Sequence, residues 1–232
     1  MSTAPRPLIY AHRGASADHQ ENTLAAFAGA LDQLADWVEL DVHLTADSQL
    51  AIVHDPCYSD GRIVSSVTAA DRPPTVPLLE EALDACDGMG VNIEIKVPEP
   101  GSDSAAQVAE LVVSQVVDRR ERGVDQSVCI SCFDEETLVL VRALDEAVST
   151  AQLVFDLSAD PDLVERAAEG GAVGINPWDP FVDAELMERC RALGLEVTPW
   201  TVDSRERIIE LAALGVDGII TNTPGLARGY LG

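Results

Sequence analysis

Seven side chains in this sequence have the types and spacing to work on an anionic group. They are His12 and Arg13 in "AHRGAS", Glu39 and Asp41 in "WVELDVHLT", His54 in "IVHDP", and Glu94 and Lys96 in "NIEIKV". An imidazole titrates near neutrality, so two of them facing one bound group can act as base and acid. In "WVELDVHLT" the period is two, with Val38, Leu40, Val42 and Leu44 on one face and Trp37, Glu39, Asp41 and His43 on the other. "NIEIKV" repeats the pattern, setting Asn92, Glu94 and Lys96 against Ile93, Ile95 and Val97. Three carboxylates on two neighbouring strands make an oxygen ligand set for Mg²⁺ or Ca²⁺. The competing reading is a salt-bridge network in which Arg13 and Lys96 neutralise them, since buried charge needs a partner. A guanidinium also forks onto phosphate oxygens, and an ammonium adds a point charge there. His43 shares the carboxylate face and is open to a ligand or supporting role, whereas His19 reads as solvent-exposed.

These residues need a frame that brings strand ends together. Periodicity predicts extended runs at 8–12, 37–45, 50–54, 91–97, 127–132, 150–155, 172–177, 195–201 and 216–222. Helical patterns fall between them at 22–35, 78–86, 103–121, 134–147, 160–169, 183–193 and 204–214, with a short tail helix after the last strand. Asp160–Pro161 and Thr223–Pro224 each read as a capping oxygen before a first-turn proline. The run at 50–54 follows 37–45 too closely for a helix, so the two form a hairpin-like excursion. The remaining eight strands, alternating with helices, predict an α/β fold of the (β/α)₈ TIM-barrel type with a short inserted hairpin and loop after strand two. A doubly wound open sheet is the alternative, but "HRGASAD" lacks the glycine-rich turn such a sheet would carry. Residues 55–77, rich in Pro, Ser and Asp, read as a short cap loop over one end, within a single domain over 1–232.

Composition limits the partners. With 15 Lys+Arg against 40 Asp+Glu, the formal charge is −25, which argues against nucleic acid and against stable association with anionic membranes. A phosphate-bearing small molecule would need a local cation, a basic side chain or a metal ion, to enter this field. The five cysteines have no framework spacing, and Cys129–Cys132 sits in a strand-like run, so reduced thiols are expected rather than disulfides or zinc. The N-terminus has no apolar core of signal-peptide type, and no apolar stretch approaches the ~20 residues that span a bilayer. The expectation is a cytoplasmic protein, monomeric or homodimeric.

"AHRGASADHQENTLAAF", "WVELDVHLTAD", "IVHD", "NIEIK", "PWTVD" and "VDGIITNTP", in that order and across nearly the whole chain, resemble the glycerophosphodiester phosphodiesterases. HRG with ENT, ExD, HD and ExK in series is a specific combination. The resemblance implies a (β/α)₈ barrel, an acid/base pair in His12 and His54, metal ligands in Glu39, Asp41 and Glu94, and phosphate contacts in Arg13 and Lys96. Trp200 then stands as an aromatic wall near the glycerol or leaving alcohol, though the residue pattern alone fits a core plug as well. Asn22 is expected to cap the first helix, and Glu21 to pair with a cation. The implied reaction converts a small glycerophosphodiester to sn-glycerol 3-phosphate and an alcohol with a divalent ion, Mg²⁺ or Ca²⁺, by way of a cyclic phosphate. Assignment of base and acid between the two histidines stays open. Three departures stand out: the Arg-Thr-Thr element usual after HD is missing, Cys132 replaces a typical Ser, and Asn222 replaces a usual Asp. Two other readings are a lysophospholipase D, with Tyr58, Val64 and Val67 as its apolar lip, and a catalytically silent barrel that binds a phosphorylated ligand.

Overall fold

The computed structural model describes residues 6–97 and 103–232. Residues 1–5, on which the expectation about an N-terminal leader partly rests, and residues 98–102 lie outside the described residues. Strands β1 (Leu8–His12), β2 (Trp37–Leu44), β4 (Gly90–Ile95), β5 (Val128–Cys132), β6 (Ser149–Val154), β7 (Gly174–Pro177), β8 (Glu196–Val197) and β9 (Gly218–Thr221) run parallel in the order β9-β1-β2-β4-β5-β6-β7-β8. Bonds from Asp217 N to Val197 O (3.0 Å), Ile220 N to Pro199 O (2.9 Å) and Val202 N to Ile220 O (2.9 Å) join β9 to the chain around β8. The sheet thus closes into the expected barrel. Around it lie α1 (Leu24–Asp32), α2 (Leu79–Ala85), α3 (Asp103–Glu121), α4 (Glu135–Leu144), α5 (Leu163–Glu169), α6 (Ala184–Leu193), α7 (Arg205–Leu214) and α8 (Pro224–Leu231).

The two faces of β2 sort as their alternation requires. Val38, Leu40 and Val42 are fully buried in the apolar layer beneath the helices, and the odd-numbered residues turn into the lumen. At the barrel's base Tyr10 stacks on Trp37 with ring centroids 5.2 Å apart. Gly90 makes room for that pair, since a Cβ there would lie 2.3 Å from the Trp37 ring.

The excursion is a hairpin. β3 (Leu50–Ile52) pairs antiparallel with β2 and runs back along it, and Val53 N then bonds Asp41 O at 3.1 Å. Segment 55–77 is more than a loop over the barrel end. It contains two short 3₁₀ turns and packs Tyr58, Val64 and Val67 with Ala51 into a small core of its own. These three side chains are 2%, 1% and 7% exposed, so they form no apolar lip, because the loop needs them for its own burial.

Three helix starts differ from expectation. Thr23, not Asn22, caps α1 by accepting from Ala26 N, because Asn22 is drawn inward to Asp41. α5 begins at Leu163 with Asp162 as its cap, since the carboxylate of Asp160, two residues earlier, is held by Arg166 within the helix. Thr223 precedes Pro224 at the start of α8 without a capping bond from its side chain, its hydroxyl meeting Thr221 instead.

Candidate active site

The turn after β1 explains "HRG". Arg13 adopts φ 57° and Gly14 φ 84°, so the chain bends sharply at the end of the strand and sends its backbone over α1. A Cβ on Gly14 would lie 2.6 Å from Ala26, which requires glycine there. Arg13 N donates to Glu39 O at 2.8 Å and to Glu39 Oε2 at 3.0 Å, locking this turn to β2.

Strand register then assembles the carboxylates. His12 lies opposite Glu39 across β1–β2, and Asp41 lies opposite Glu94 across β2–β4. Glu39, Asp41 and Glu94 are 3%, 0% and 8% exposed, and each offers an oxygen within 4.8 Å of the others. Lys96 Nζ sits 2.9 Å from Asp41 Oδ1 and also pairs with Glu94. Arg13 Nε reaches Asp41 Oδ2 at 3.2 Å, while its NH1 bonds Glu21 at 3.0 Å. Asn22, buried at φ 55°, donates to Asp41 Oδ2 at 2.8 Å.

The electrostatics are unequal. Burial disfavours ionisation of Asp41, but Lys96 and Arg13, with hydrogen bonds from Lys96 and Asn22, more than offset it and hold the carboxyl below its ordinary 3.8. Burial, then repulsion from Asp41, lifts Glu94 to about 7. Glu39 is pushed well above its ordinary 4.5 by burial and by both neighbouring carboxylates. Three acids thus share two cations, Arg13 and Lys96, and the deficit falls on Glu39 and Glu94. That deficit, with an all-oxygen donor set, is what a divalent ion satisfies, so the triad could bind a metal. Both sequence readings of the cluster therefore meet here, since the ion pairs form and still leave a carboxylate uncompensated.

His12 and His54 face this cluster from two directions. His12 Nδ1 lies 2.7 Å from Asn222 Oδ1. Ser16 Oγ donates to the same oxygen at 2.8 Å, and Asn222 Nδ2 donates to Asp203 Oδ2 at 2.7 Å. A carboxylate only accepts, so the Asn222 amide nitrogen faces Asp203 and its oxygen faces His12. This network puts the proton on Nδ1 of a neutral His12 and leaves Nε2 bare. Burial and then Arg13 lower the His12 pKa from its ordinary 6.5, favouring that neutral form. His54 arrives on the returning arm of the hairpin; its Nδ1 lies 2.9 Å from Asp55 Oδ1, and its carbonyl accepts from His43 Nε2 at 3.1 Å. His43 thus holds the backbone of His54, and His19 is exposed.

These groups line a cavity of about 210 Å³ with His12, Arg13, Glu39, His54, Glu94 and Lys96 on one side. Phe133, Leu153, Trp200 and Ile220 form the other. Trp200 is a wall and not a core plug: its indole N–H donates to Asn176 O at 2.8 Å and its ring meets Phe133 edge-on at 5.8 Å. Every expected site residue except Asp41 lines this cavity; Asp41 is fully buried, in contact with Arg13 and Lys96. Ser16 and Asp203 were missed, as were Phe133, Leu153 and Ile220, and Asn22 was expected only as a helix cap and not as a partner of Asp41. Only Asp203, one residue into the turn after "PWTV", carried a sequence signal.

Three clustered carboxylates, two imidazoles and two cations, faced by an apolar wall at the C-terminal mouth of a barrel, make a site suited to hydrolysis of a phosphate ester. Residues 12–226 match the glycerophosphoryl diester phosphodiesterase family. A glycerophosphodiester phosphodiesterase of Caldanaerobacter subterraneus is 32% identical over 246 residues, covering 94% of this chain and 95% of its own. A Mycobacterium tuberculosis protein named for the same activity is 56% identical over 259 residues, covering 98% and 93%. Among solved structures, an Oleispira antarctica phosphodiesterase in complex with the product sn-glycerol-3-phosphate superposes with a TM-score of 0.85 at 25% identity, covering 97% of this chain and 96% of that one. The chain belongs to the glycerophosphoryl diester phosphodiesterase family and is an enzyme of that class. Among the described residues no helix is long and apolar enough to cross a membrane.

Proposed function

We propose that the chain hydrolyses small glycerophosphodiesters to sn-glycerol 3-phosphate and an alcohol, using one divalent ion and both histidines. The observation that carries this is the Glu39–Asp41–Glu94 cluster, its oxygens within 4.8 Å of one another, beside His12 and His54 in one cavity. Mg²⁺ or Ca²⁺ suits these hard oxygen donors, and when bound it would neutralise charge on the phosphoryl oxygens.

The chain's own residues supply the rest. Arg13 and Lys96 are already tied to Asp41, so they present fixed donors to the phosphate oxygens. His12 Nε2, bare and neutral, acts as the base and takes the proton of the glycerol 2-hydroxyl as that oxygen attacks phosphorus. His54 gives its proton to the departing alcohol oxygen, its ring held in place by the Asp55 contact at Nδ1. Water then opens the resulting cyclic phosphate, with His54 as base and His12 as acid. Trp200 and Phe133 exclude solvent on the alcohol side.

The test is release of glycerol 3-phosphate from glycerophosphocholine by protein stripped with EDTA and then given Mg²⁺ or Ca²⁺. The proposal expects activity only after the ion is restored; full activity in EDTA would remove the ion from the reaction. A diester lacking the 2-hydroxyl separates the routes, since normal turnover of it would mean direct attack by water.

A further inference from the structure

The lumen wall opposite the carboxylates does not stop at Trp200. Phe133, Phe155, Trp178, Phe181 and Trp200 are half of the chain's three Trp, three Tyr and four Phe, and all lie at the same end of the barrel, on or just beyond β5 to β8. Trp200 meets Phe133 at 5.8 Å and Phe155 at 6.3 Å. Phe155 stacks flat on Trp178 at 4.9 Å with an interplanar angle of 3°, and Trp178 meets Phe181 at 6.0 Å. The chain of rings therefore begins inside the catalytic cavity and continues out onto the rim. Its outer members are exposed, Phe155 by 57%, Phe133 by 46% and Trp178 by 37%, although burying such rings is what ordinarily stabilises them.

Charge follows the rings. Each of Phe133, Phe155 and Trp178 is followed directly by an aspartate. Asp134 caps α4, and Asp179 is paired with Arg207 at 2.6 Å. Asp156 closes a turn on Ser158 and has no cation against it among the described residues. Ring faces carry partial negative charge, and they stand here beside a free carboxylate in a protein of formal charge −25. An anionic lipid surface would be repelled. An acyl chain on so open a shelf would keep one side in water. A weakly hydrated organic cation gains from both the rings and the carboxylate.

Resting on the proposed hydrolysis, we infer that the Phe155–Trp178 shelf, with Asp156, is the subsite for the alcohol half of the diester and selects a quaternary ammonium head group. Phe155 and Trp178 then set specificity and take no part in bond breaking.

The experiment compares glycerophosphocholine with its neutral isostere, the 3,3-dimethylbutyl diester, which has the same shape without the charge. In the native protein the choline substrate should have a kcat/KM about fivefold higher, the weight of one exposed cation–ring contact. Phe155→Leu and Trp178→Leu keep the apolar surface, so each should cut the ratio, and their combination with Asp156→Asn should bring it to about one, while turnover of the isostere persists. Trp178→Phe should keep the ratio. A ratio of one in the native protein, or a ratio that survives both leucine variants, overturns the inference. Choline itself, titrated while the Trp178 ring protons are followed by NMR, gives a readout without turnover. Choline shifting those protons where 3,3-dimethylbutanol does not would support the shelf even if no diester were hydrolysed. Hydrolysis without any choline preference would leave the reaction standing and remove the shelf.

Discussion

Replacing Glu94 by Gln should stabilise the ion-free protein, although it removes a carboxylate proposed to hold the ion. In the fold, burial and Asp41 lift Glu94 from its ordinary 4.5 to about 7. A raised acid pKa means that the folded chain binds more protons than the unfolded chain between pH 4.5 and about 7, so stability falls as pH rises through that window. At about 1.4 kcal/mol per pH unit, the ionised carboxylate costs about 3 kcal/mol at pH 8, and Gln does not incur that cost. For a chain of this length that corresponds to a Tm about 6–12 °C higher in the variant. The assay is thermal unfolding in EDTA from pH 4 to 8.5 for both proteins. The curves should coincide near pH 4.5 and separate toward pH 8, with the variant above. Adding Mg²⁺ or Ca²⁺ should raise the native protein more than the variant, and more at pH 8 than at pH 5.5, because protons compete for the same oxygens. A variant equal to or less stable than the native protein at pH 8 in EDTA would refute the account of uncompensated charge.

Other outcomes follow from the same geometry. His12→Ala and His54→Ala should each lower kcat by about 10²–10⁴ in a glycerol 3-phosphate release assay, the usual weight of proton transfer assistance. Asn222→Asp places a carboxylate on His12 Nδ1 and should raise the imidazole pKa, moving the acid limb of the kcat/KM–pH profile upward. Asn22→Leu should destabilise by about 1–3 kcal/mol in denaturant unfolding, through loss of the bond to Asp41. Asn22→Gly, which tolerates φ 55°, separates that bond from the backbone cost.

The barrel and the carboxylate face were legible because strand alternation is binary. Once Val38, Leu40 and Val42 are assigned to the helices, Glu39 and Asp41 have only the lumen left. Register, which local pattern does not specify, decided the rest: Asp41 meets Glu94, and the hairpin folds back to bring His54 to that level. Asn22 read as a helix cap because Asn is a common cap, but a buried carboxylate competes for its amide and the neighbouring Thr23 takes over the helix. Tyr58, Val64 and Val67 read as a lip because a proline- and serine-rich loop gives no period from which to judge burial. The aromatic shelf was missed for a similar reason. Its rings come from four strand ends far apart in sequence, and only the side-by-side pairing of β5 to β8 brings them together.

The central claim is that one divalent ion sits among Glu39, Asp41 and Glu94. Anomalous scattering from crystals soaked in Mn²⁺ tests it most directly. The account predicts a single strong peak about 2.0–2.6 Å from an oxygen of each of the three carboxylates, absent in Glu39→Ala. A lumen without a peak, or an ion bound elsewhere and unaffected by that substitution, would contradict it.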